Sequence, residues 1–194
     1  MFTRLLIMVI AYLLGSVPSG YLLSRLLTGK DIRDTGSGSI GATNVVRTLG
    51  FKMGALTFFL DFLKGYFAVW LASGLMKNQV DLALACILVV VGHCYPIFLR
   101  FKGGKGVATA AGVVSYFSIT LLGALLVLFF VVFYLTKTVS IASTVVVVAG
   151  LIAFYFMPLS RPIHLAILII SLLIVFQHRA NFIRLIRGEE LSFK

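Results

Sequence analysis

The sequence predicts an all-α integral membrane protein, and three observations support this fold class. Of its 194 residues, 60% are apolar and only 12% are charged, whereas a soluble domain carries about 25% charged residues. The mean hydropathy is +1.09. Apolar runs recur that are long enough to cross a hydrocarbon core of ~30 Å, which takes about 20 helical residues. We therefore expect a single polytopic membrane domain over residues 1–194, with no nucleic-acid partner.

Six apolar runs are candidates for the membrane spans. The first contains a polar Gly15–Gly20 stretch and lacks a small-residue cleavage site, so it is interpreted as a span rather than a signal peptide. Five runs have the length of one helix, but the fourth is over-long for one crossing and short for two. Two crossings require a break near Ser115–Ser118. The runs cover roughly 4–26, 51–75, 80–98, 107–136, 139–157 and 163–177.

The distribution of cations distinguishes between one and two crossings by the fourth run. Two crossings place thirteen of the 17 lysines and arginines on one side: Arg25, Lys30, Arg33, Arg47, Lys52, Arg100, Lys102, Lys105, Lys137, Arg179, Arg184, Arg187 and Lys194. The opposite side keeps Arg4, Lys77 and Arg161, and Lys64 falls within a span. If the fourth run crossed only once, the carboxyl-terminal segment and its cations would lie on the opposite side of the membrane. Most of the charge difference between the two sides would then disappear.

The positive-inside rule therefore favours two crossings. We predict seven transmembrane helices, one or two of them short, with the amino terminus outside and the carboxyl terminus in the cytoplasm. Three polar loops that carry sequence motifs then share the cytoplasmic side. They lie at about 28–50, 99–106 and 178–194.

The first of these loops combines glycines with hydroxyl and cationic side chains. Between Asp31 and Arg47 it reads DIRDTGSGSIGATNVVR. Glycine permits positive φ and close backbone approach, so successive N–H groups can point at one anion. Hydroxyl, amide and guanidinium groups add donors that suit phosphate. A flexible Gly/Ser linker is the alternative. The candidate phosphate ligands are Gly36, Ser37, Gly38, Thr43, Asn44 and Arg47.

The second loop places a lysine inside a glycine-rich turn. Gly103, Gly104 and Gly106 surround Lys105, and a predicted helix begins directly afterwards. Such a turn at a helix amino terminus is suited to binding phosphate. It is not a nucleotide P-loop, because the GxxxxGK[ST] spacing is absent.

The third loop continues from the last span. His178, Asn181 and Arg184 recur every three residues and therefore share one helical face. An amphipathic, lipid-facing helix is the alternative interpretation. Glu190 is expected to hold this segment in place by pairing with an arginine.

Ionisable residues also occur within the predicted spans. Asp61 and Lys64 lie three residues apart in one span, so we expect them to form an internal ion pair that supports the loops. His93, beside Pro96, is interpreted as a structural residue at a helix end.

Together the three loops resemble the signature motifs of the bacterial acyl-phosphate-dependent glycerol-3-phosphate acyltransferases. The first is similar to GSGNxGATNxxR, the second to GHxxPxFLxFKGGKGVAT and the third to HRxNIxRLxxGxE. The GSxPxG stretch at Gly15–Gly20 and the DxxKG stretch at Asp61 also match, so the resemblance runs from about residue 12 to 190. Ser39 stands where the family has Asn and is left out of the catalytic set; Phe182 stands where it has Ile.

The resemblance implies a multi-pass enzyme of the bacterial cell (inner) membrane whose active site faces the cytoplasm. Its reaction would transfer a fatty acyl group from acyl phosphate to the 1-hydroxyl of glycerol 3-phosphate. The products would be 1-acyl-glycerol 3-phosphate (lysophosphatidate) and inorganic phosphate, in the first step of phospholipid synthesis. The implied partners are glycerol 3-phosphate, fatty acyl phosphate and membrane lipids. Functional coupling is implied to the enzyme that makes acyl phosphate and to the next acyltransferase.

The site residues follow from the motifs. Lys105 and its loop are expected to hold the phosphate of glycerol 3-phosphate. Ser37 and Arg47, supported by Thr43 and Asn44, would surround the second phosphate and the oxyanion. His178 and Asn181 would orient the attacking hydroxyl or bind phosphate. Either His178 or a substrate phosphate would be the general base. The predicted catalytic residues are Ser37, Arg47, Lys105, His178 and Asn181, and the substrate-binding residues are Gly36, Gly38, Thr43, Asn44, Gly103, Gly104 and Gly106.

Absent patterns narrow the chemistry. None of the three histidines begins the HxxxxD pattern of thioester-dependent acyltransferases, so acyl-coenzyme A is not expected as the donor. No metal-ligand spacing is found, and neither a metal nor a cofactor is predicted. The alternatives from other classes are a carrier or channel for phosphorylated solutes and a non-catalytic scaffold. A carrier is disfavoured because the polar groups concentrate on one side and no inverted repeat is found.

Overall fold

The computed structural model describes residues 2–193, so Lys194, counted above among the cytoplasmic cations, lies outside the described residues. Over this range the protein is helical, without a β-strand. Two 3₁₀ turns, Ile32–Asp34 and Ile97–Leu99, lie in the loops that carry the first and second motifs. The helices are α1 (Phe2–Ser16), α2 (Ser19–Thr28), α3 (Ala42–Leu49), α4 (Phe51–Leu75), α5 (Gln79–Cys94), α6 (Val107–Phe117), α7 (Ile119–Thr136), α8 (Val139–Tyr155), α9 (Arg161–Gln177) and α10 (Arg179–Ile186).

Three of the helical segments are long and apolar enough to cross a membrane: α4, α5 extended to Leu99, and α7. Two bent pairs, α1 with α2 and α9 with α10, bring the number to five if each pair is one span. The predicted division of residues 107–136 is confirmed, because α6 and α7 are separate helices that meet at Ser118. With 11 residues, α6 is only about 16 Å long, roughly half the hydrocarbon core. The count of seven crossings stays a prediction.

The first apolar run is not the single helix that the sequence predicts. It bends by 43° between α1 and α2, because Pro18 has no N–H to continue the helical ladder. The break exposes the carbonyl oxygen of Val17, to which Lys64 Nζ donates a hydrogen bond of 2.9 Å. The predicted ion pair of Asp61 with Lys64 is confirmed at 2.8 Å. Lys64 therefore bonds a backbone carbonyl oxygen at the break, and Asp61 Oδ1 accepts a hydrogen bond from Ser19 Oγ at 3.0 Å.

Two packing features position the loops. Helix α6 lies directly against α4, where a Cβ on Gly65 or Gly112 would fall within 2.1 Å of a backbone oxygen of the other helix. A small apolar cluster, separate from the main core, joins the first loop to the 3₁₀ turn that precedes the second. Its buried members are Ile32, Ile40, Val45 and Leu99.

Candidate active site

A polar cavity of about 130 Å³ lies where the three motif loops meet. The predicted site residues that line it are Ser37, Thr43, Asn44, Arg47, Lys105, Gly106, His178 and Asn181. Gly36, Gly38, Gly103 and Gly104 are not in its wall. The three loops therefore lie on the same side of the helices, and the cavity has the size of a small polar metabolite rather than of a drug-sized ligand, which needs ~300 Å³ or more.

The first loop is held by the side chain of Asn44, which is 1% exposed. Its Oδ1 accepts a hydrogen bond from the N–H of Ser37 at 2.8 Å. Its Nδ2 donates to the carbonyl oxygens of Ile32, Thr35 and Ser39 at 2.9–3.1 Å. Because these bonds engage both ends of the amide, Asn44 acts here as a clamp for the loop. Asn44 also lines the cavity, and its predicted contact with substrate stays a prediction.

The first loop needs glycine at position 36 because of this clamp. Gly36 has φ +59°, and a Cβ there would lie 2.1 Å from Asn44 Oδ1. Gly36 and Gly38 thus shape the loop outside the cavity wall, and their predicted role as direct ligands is not supported by their position. Among the residues of this loop that line the cavity are Ser37, Thr43 and Arg47.

The second loop is held through its backbone. The N–H groups of Gly103 and Gly104 donate to the carbonyl oxygens of Cys94 and His93, each at 3.1 Å. A Cβ on Gly104 would fall 2.2 Å from Nε2 of His93, so glycine is required for this close approach. Both N–H groups thus already have protein acceptors, and the assignment of Gly103 and Gly104 to phosphate binding stays a prediction.

The free donors lie one residue further along. Gly106 has φ +89° and caps α6. Within residues 2–193, the N–H groups of Gly106, Val107 and Ala108 have no protein acceptor, and all three residues line the cavity. Unpaired N–H groups at a helix amino terminus, together with the helix dipole, favour an anion. The start of α6 and Lys105 are therefore the candidate phosphate ligands in this motif.

Lys105 presents a cation that no acidic side chain of the described residues neutralises by direct contact. Burial, together with the charges of Arg184 and Arg47, lowers the pKa of its ammonium to about 8, against the opposing effect of Glu190. Lys105 is therefore charged at neutral pH, and an incoming phosphate would stabilise that charge.

His178 lies at the 45° bend between α9 and α10 and is 1% exposed. Its Nδ1 lies 2.8 Å from the carbonyl oxygen of Ile174, an oxygen that can only accept, so Nδ1 carries the proton. Nε2 is then the free acceptor. Burial and the charge of Lys105 lower the pKa of His178 to about 4. The imidazole is accordingly neutral at physiological pH.

Asn181 and Glu190 form the rest of this wall. Asn181 Nδ2 donates to Glu190 Oε1 at 2.6 Å, and Arg184 Nε donates to Oε2 at 2.8 Å. The expected pairing of Glu190 with an arginine is confirmed. Arg184 does not line the cavity and serves to hold this carboxylate.

Sequence reasoning missed several residues of the cavity wall. Ser140 and Ser143 belong to α8, and Ser140 Oγ donates to Glu190 Oε1 at 2.8 Å. Their only sequence signal is a pair of hydroxyls three residues apart in an otherwise apolar run. Asp61 and His93, interpreted as structural, also border the cavity. No group of three or more His, Cys, Asp or Glu side chains in residues 2–193 converges as a metal site would.

An apolar groove of about 510 Å³ adjoins the polar cavity. The two share the lining residues Ala42, Thr43, Phe58, Val107, Phe129 and Val139, so they are continuous. Along α8 the groove extends from Val139 to Phe154, about 22 Å at 1.5 Å per residue. One leaflet makes up half of a ~30 Å hydrocarbon core, so the groove is longer than one leaflet is thick.

Comparisons with known proteins agree with this arrangement. The family profile described as glycerol-3-phosphate acyltransferase matches residues 5–188. The glycerol-3-phosphate acyltransferase of Syntrophomonas wolfei is 41% identical over 186 residues, covering 95% of this chain and 94% of the relative. That of Bacillus subtilis is 39% identical over 189 residues, covering 97% of each chain.

Two solved structures have the same fold. Both are crystal structures of PlsY, an integral membrane glycerol 3-phosphate acyltransferase. The glycerol 3-phosphate form has a TM-score of 0.94 and 37% identity, and the lysophosphatidic acid form has a TM-score of 0.91 and 36% identity. Each comparison covers 99% of this chain and 96% of the other. This chain therefore belongs to the glycerol-3-phosphate acyltransferase family of integral membrane proteins.

Proposed function

We propose that this protein transfers a fatty acyl group from acyl phosphate to the 1-hydroxyl of glycerol 3-phosphate, forming 1-acyl-glycerol 3-phosphate (lysophosphatidate) and inorganic phosphate. The observation that carries the proposal is the continuity of a small cationic cavity with a long apolar groove. A polar acceptor with one phosphate suits the cavity alone. A donor with a phosphate at one end and an acyl chain at the other suits the junction.

The proposal assigns two phosphate sites. Lys105 and the N–H groups at the start of α6 hold the phosphate of glycerol 3-phosphate. Arg47 holds the phosphate of the donor, because it lines the cavity on the same helix, α3, as Val46 of the groove. Ser37 donates to the oxyanion that develops on the acyl carbonyl. Charge stabilisation of this kind contributes most where water is excluded.

The reaction needs one proton transfer. The 1-hydroxyl attacks the carbonyl carbon, the C–O bond to the phosphate breaks, and phosphate leaves with the bonding electron pair. Nε2 of His178 or a phosphate oxygen of a substrate takes the hydroxyl proton. Because an acyl phosphate is a mixed anhydride with a good leaving group, positioning and charge stabilisation supply most of the acceleration. Asn181, held by Glu190, keeps its carbonyl oxygen available for the attacking hydroxyl.

The partners in the proposal are glycerol 3-phosphate, fatty acyl phosphate and membrane lipids. The enzyme that makes acyl phosphate and the next acyltransferase are functionally coupled to it through a shared lipid substrate and product. Neither a divalent metal nor a cofactor takes part. Family membership favours this reaction over the carrier and scaffold alternatives.

Phosphate release by the purified protein in detergent tests the proposal. We expect release from palmitoyl phosphate that depends on glycerol 3-phosphate and persists in the presence of a chelator. Palmitoyl-coenzyme A should support little or no transfer, since no HxxxxD pair is present to activate the acceptor. Comparable rates with the thioester, or a requirement for added magnesium, would contradict the proposal.

The proposal also includes seven crossings of a bacterial inner membrane, with the motif loops in the cytoplasm. Single cysteines placed beside Lys137 and after Arg187, in a variant that lacks Cys86 and Cys94, should both react with an impermeant reagent only from the cytoplasmic side. A cysteine placed beside Lys77 is the control and should react from the opposite side. Labelling of the first two positions from opposite sides would exclude the seven-helix arrangement.

A further inference from the structure

A short segment beyond the family match crosses the boundary between the polar cavity and the apolar groove. The match ends at residue 188, and the motif resemblance ends at Glu190. We call the next three residues, Leu191–Phe193, the strap. The strap lies within the third loop but beyond its motif, and no role described above includes it.

The strap is fixed at both ends. Before it, the carboxylate of Glu190 accepts hydrogen bonds from Ser140, Asn181 and Arg184. At its other end, the N–H of Phe193 donates to the carbonyl oxygen of Lys137 at 2.9 Å, in the turn between α7 and α8. The Phe193 ring packs edge-to-face against Phe133 with ring centres 5.8 Å apart. The strap therefore connects the third motif to the α7–α8 turn and covers the junction.

Both contacts of the strap with the site are made to Arg47. Nη2 of Arg47 donates to the carbonyl oxygen of Leu191 at 2.9 Å. The guanidinium carbon lies 4.7 Å from the centre of the Phe193 ring. A guanidinium over an aromatic face keeps the N–H groups at its edge available for an anion. One of its five donors is used by Leu191, and the remaining donors can bind phosphate.

Phe193 also lines the apolar groove, while Arg47 lines the polar cavity. We propose that Phe193 is a positioning residue that orients Arg47 toward the phosphate of the acyl donor at the point where the acyl chain enters the groove. This inference rests on the proposed function and adds a residue and a substrate to it. It predicts that loss of the ring affects the donor and not glycerol 3-phosphate.

Substitutions at Phe193 separate the aromatic contact from simple apolar contact. Phe193→Ala and Phe193→Leu should each raise the apparent KM for palmitoyl phosphate by about five- to tenfold, the effect expected for a partly desolvated cation–π contact. Phe193→Tyr retains the ring and should stay within about twofold of the wild type. The KM for glycerol 3-phosphate should not change in any of them.

Leu191→Ala is the matched control. It keeps the carbonyl oxygen that accepts from Arg47 and removes a side chain that is 40% exposed, so its kinetics should equal those of the wild type. Thermal unfolding in detergent should be unchanged in all four variants.

Four outcomes overturn the inference. Phe193→Leu with wild-type kinetics would show that the ring provides only apolar contact. An equal rise in both KM values would mean a general distortion of the site. Unchanged Phe193 variants in an active enzyme would remove the strap from the mechanism and leave the proposed function intact. A wild type that releases no phosphate from palmitoyl phosphate would instead refute the proposed function, and the strap assignment with it.

Discussion

The two glycine-rich loops at the polar cavity are held by different parts of the protein. One side chain, Asn44, holds the first loop through four hydrogen bonds. The second loop has no such clamp. Its backbone instead pairs with the end of α5, where Gly104 lies against the ring of His93.

This difference determines which groups remain for a ligand. In the first loop the N–H of Ser37 is already paired, so the available groups are the side chains of Ser37, Thr43 and Arg47. In the second loop the paired glycines position the start of α6, whose N–H groups are free. In both loops the glycines permit the backbone conformation and its close packing against a neighbouring side chain. The donors available to a ligand come from residues next to these glycines.

Removal of the Asn44 clamp should have the largest effect. Asn44→Ala leaves one N–H and three carbonyl oxygens without their partner. At about 1 kcal/mol per hydrogen bond, we expect a loss of about 3 kcal/mol in loop stability and on the order of 100-fold in kcat/KM. Steady-state kinetics and thermal unfolding in detergent measure these effects.

Asn78→Ala is the control for this prediction. Asn78 caps the N-terminus of α5, where its side chain accepts one hydrogen bond from the N–H of Val80. Its replacement should lower the free energy of unfolding by about 1 kcal/mol and leave the kinetics unchanged. Wild-type activity in Asn44→Ala would show that the first loop does not depend on its clamp.

Gly104→Ala should have the next largest effect. The added methyl group would lie 2.2 Å from Nε2 of His93, whose ring is 3% exposed and cannot move aside freely. The loop must shift, so kcat should fall and the KM for glycerol 3-phosphate should rise, together costing about tenfold or more in kcat/KM. Gly123→Ala is the control, because nothing lies within 4 Å of the new methyl group in α7. It should leave kcat and KM unchanged. A change in KM alone would restore Gly104 as a direct ligand.

The pH dependence of glycerol 3-phosphate binding tests the free charge beside the second loop. The ammonium of Lys105, with its pKa lowered to about 8 by burial, is present below that pH and lost above it. The KM for glycerol 3-phosphate should therefore be flat near neutrality and rise about five- to tenfold by about pH 9. In Lys105→Arg the guanidinium stays charged, so this rise should disappear. An identical rise in that variant would assign it to another group.

The smallest effect should come from titration of His178. Because burial lowers its pKa to about 4, the imidazole is neutral above that value, and its titration should change kcat/KM less than about twofold between pH 5.5 and 7. A fall in kcat/KM below about pH 6 would then reflect protonation of a substrate phosphate. That fall should persist in His178→Ala. His164→Ala, whose ring contacts the carbonyl oxygen of Phe154, is the control. A wild-type limb near pH 6.5 that is absent in His178→Ala would identify His178 as the base.

The reliable sequence predictions rest on local patterns. The apolar runs, the break before α7, the Asp61–Lys64 pair and the three motifs follow from hydrophobicity and spacing, which require no knowledge of distant residues. The structure shows that Asn44, Gly103 and Gly104, predicted as direct ligands, already have hydrogen-bond partners within the protein. A hydrogen-bond donor is available to a ligand only if no other group has taken it, and their partners lie five to twelve residues away along the chain.

The sequence by itself thus determined an all-helical membrane protein, its family and the three loops that form one site, because composition and short motifs are properties of contiguous residues. Only the tertiary structure decided the contribution of Ser140 and Ser143, the continuity of cavity and groove, and the strap over Arg47. Each of these depends on contacts between residues far apart in the chain, such as Arg47 and Leu191. Packing brings such residues together, and no local pattern encodes their contact.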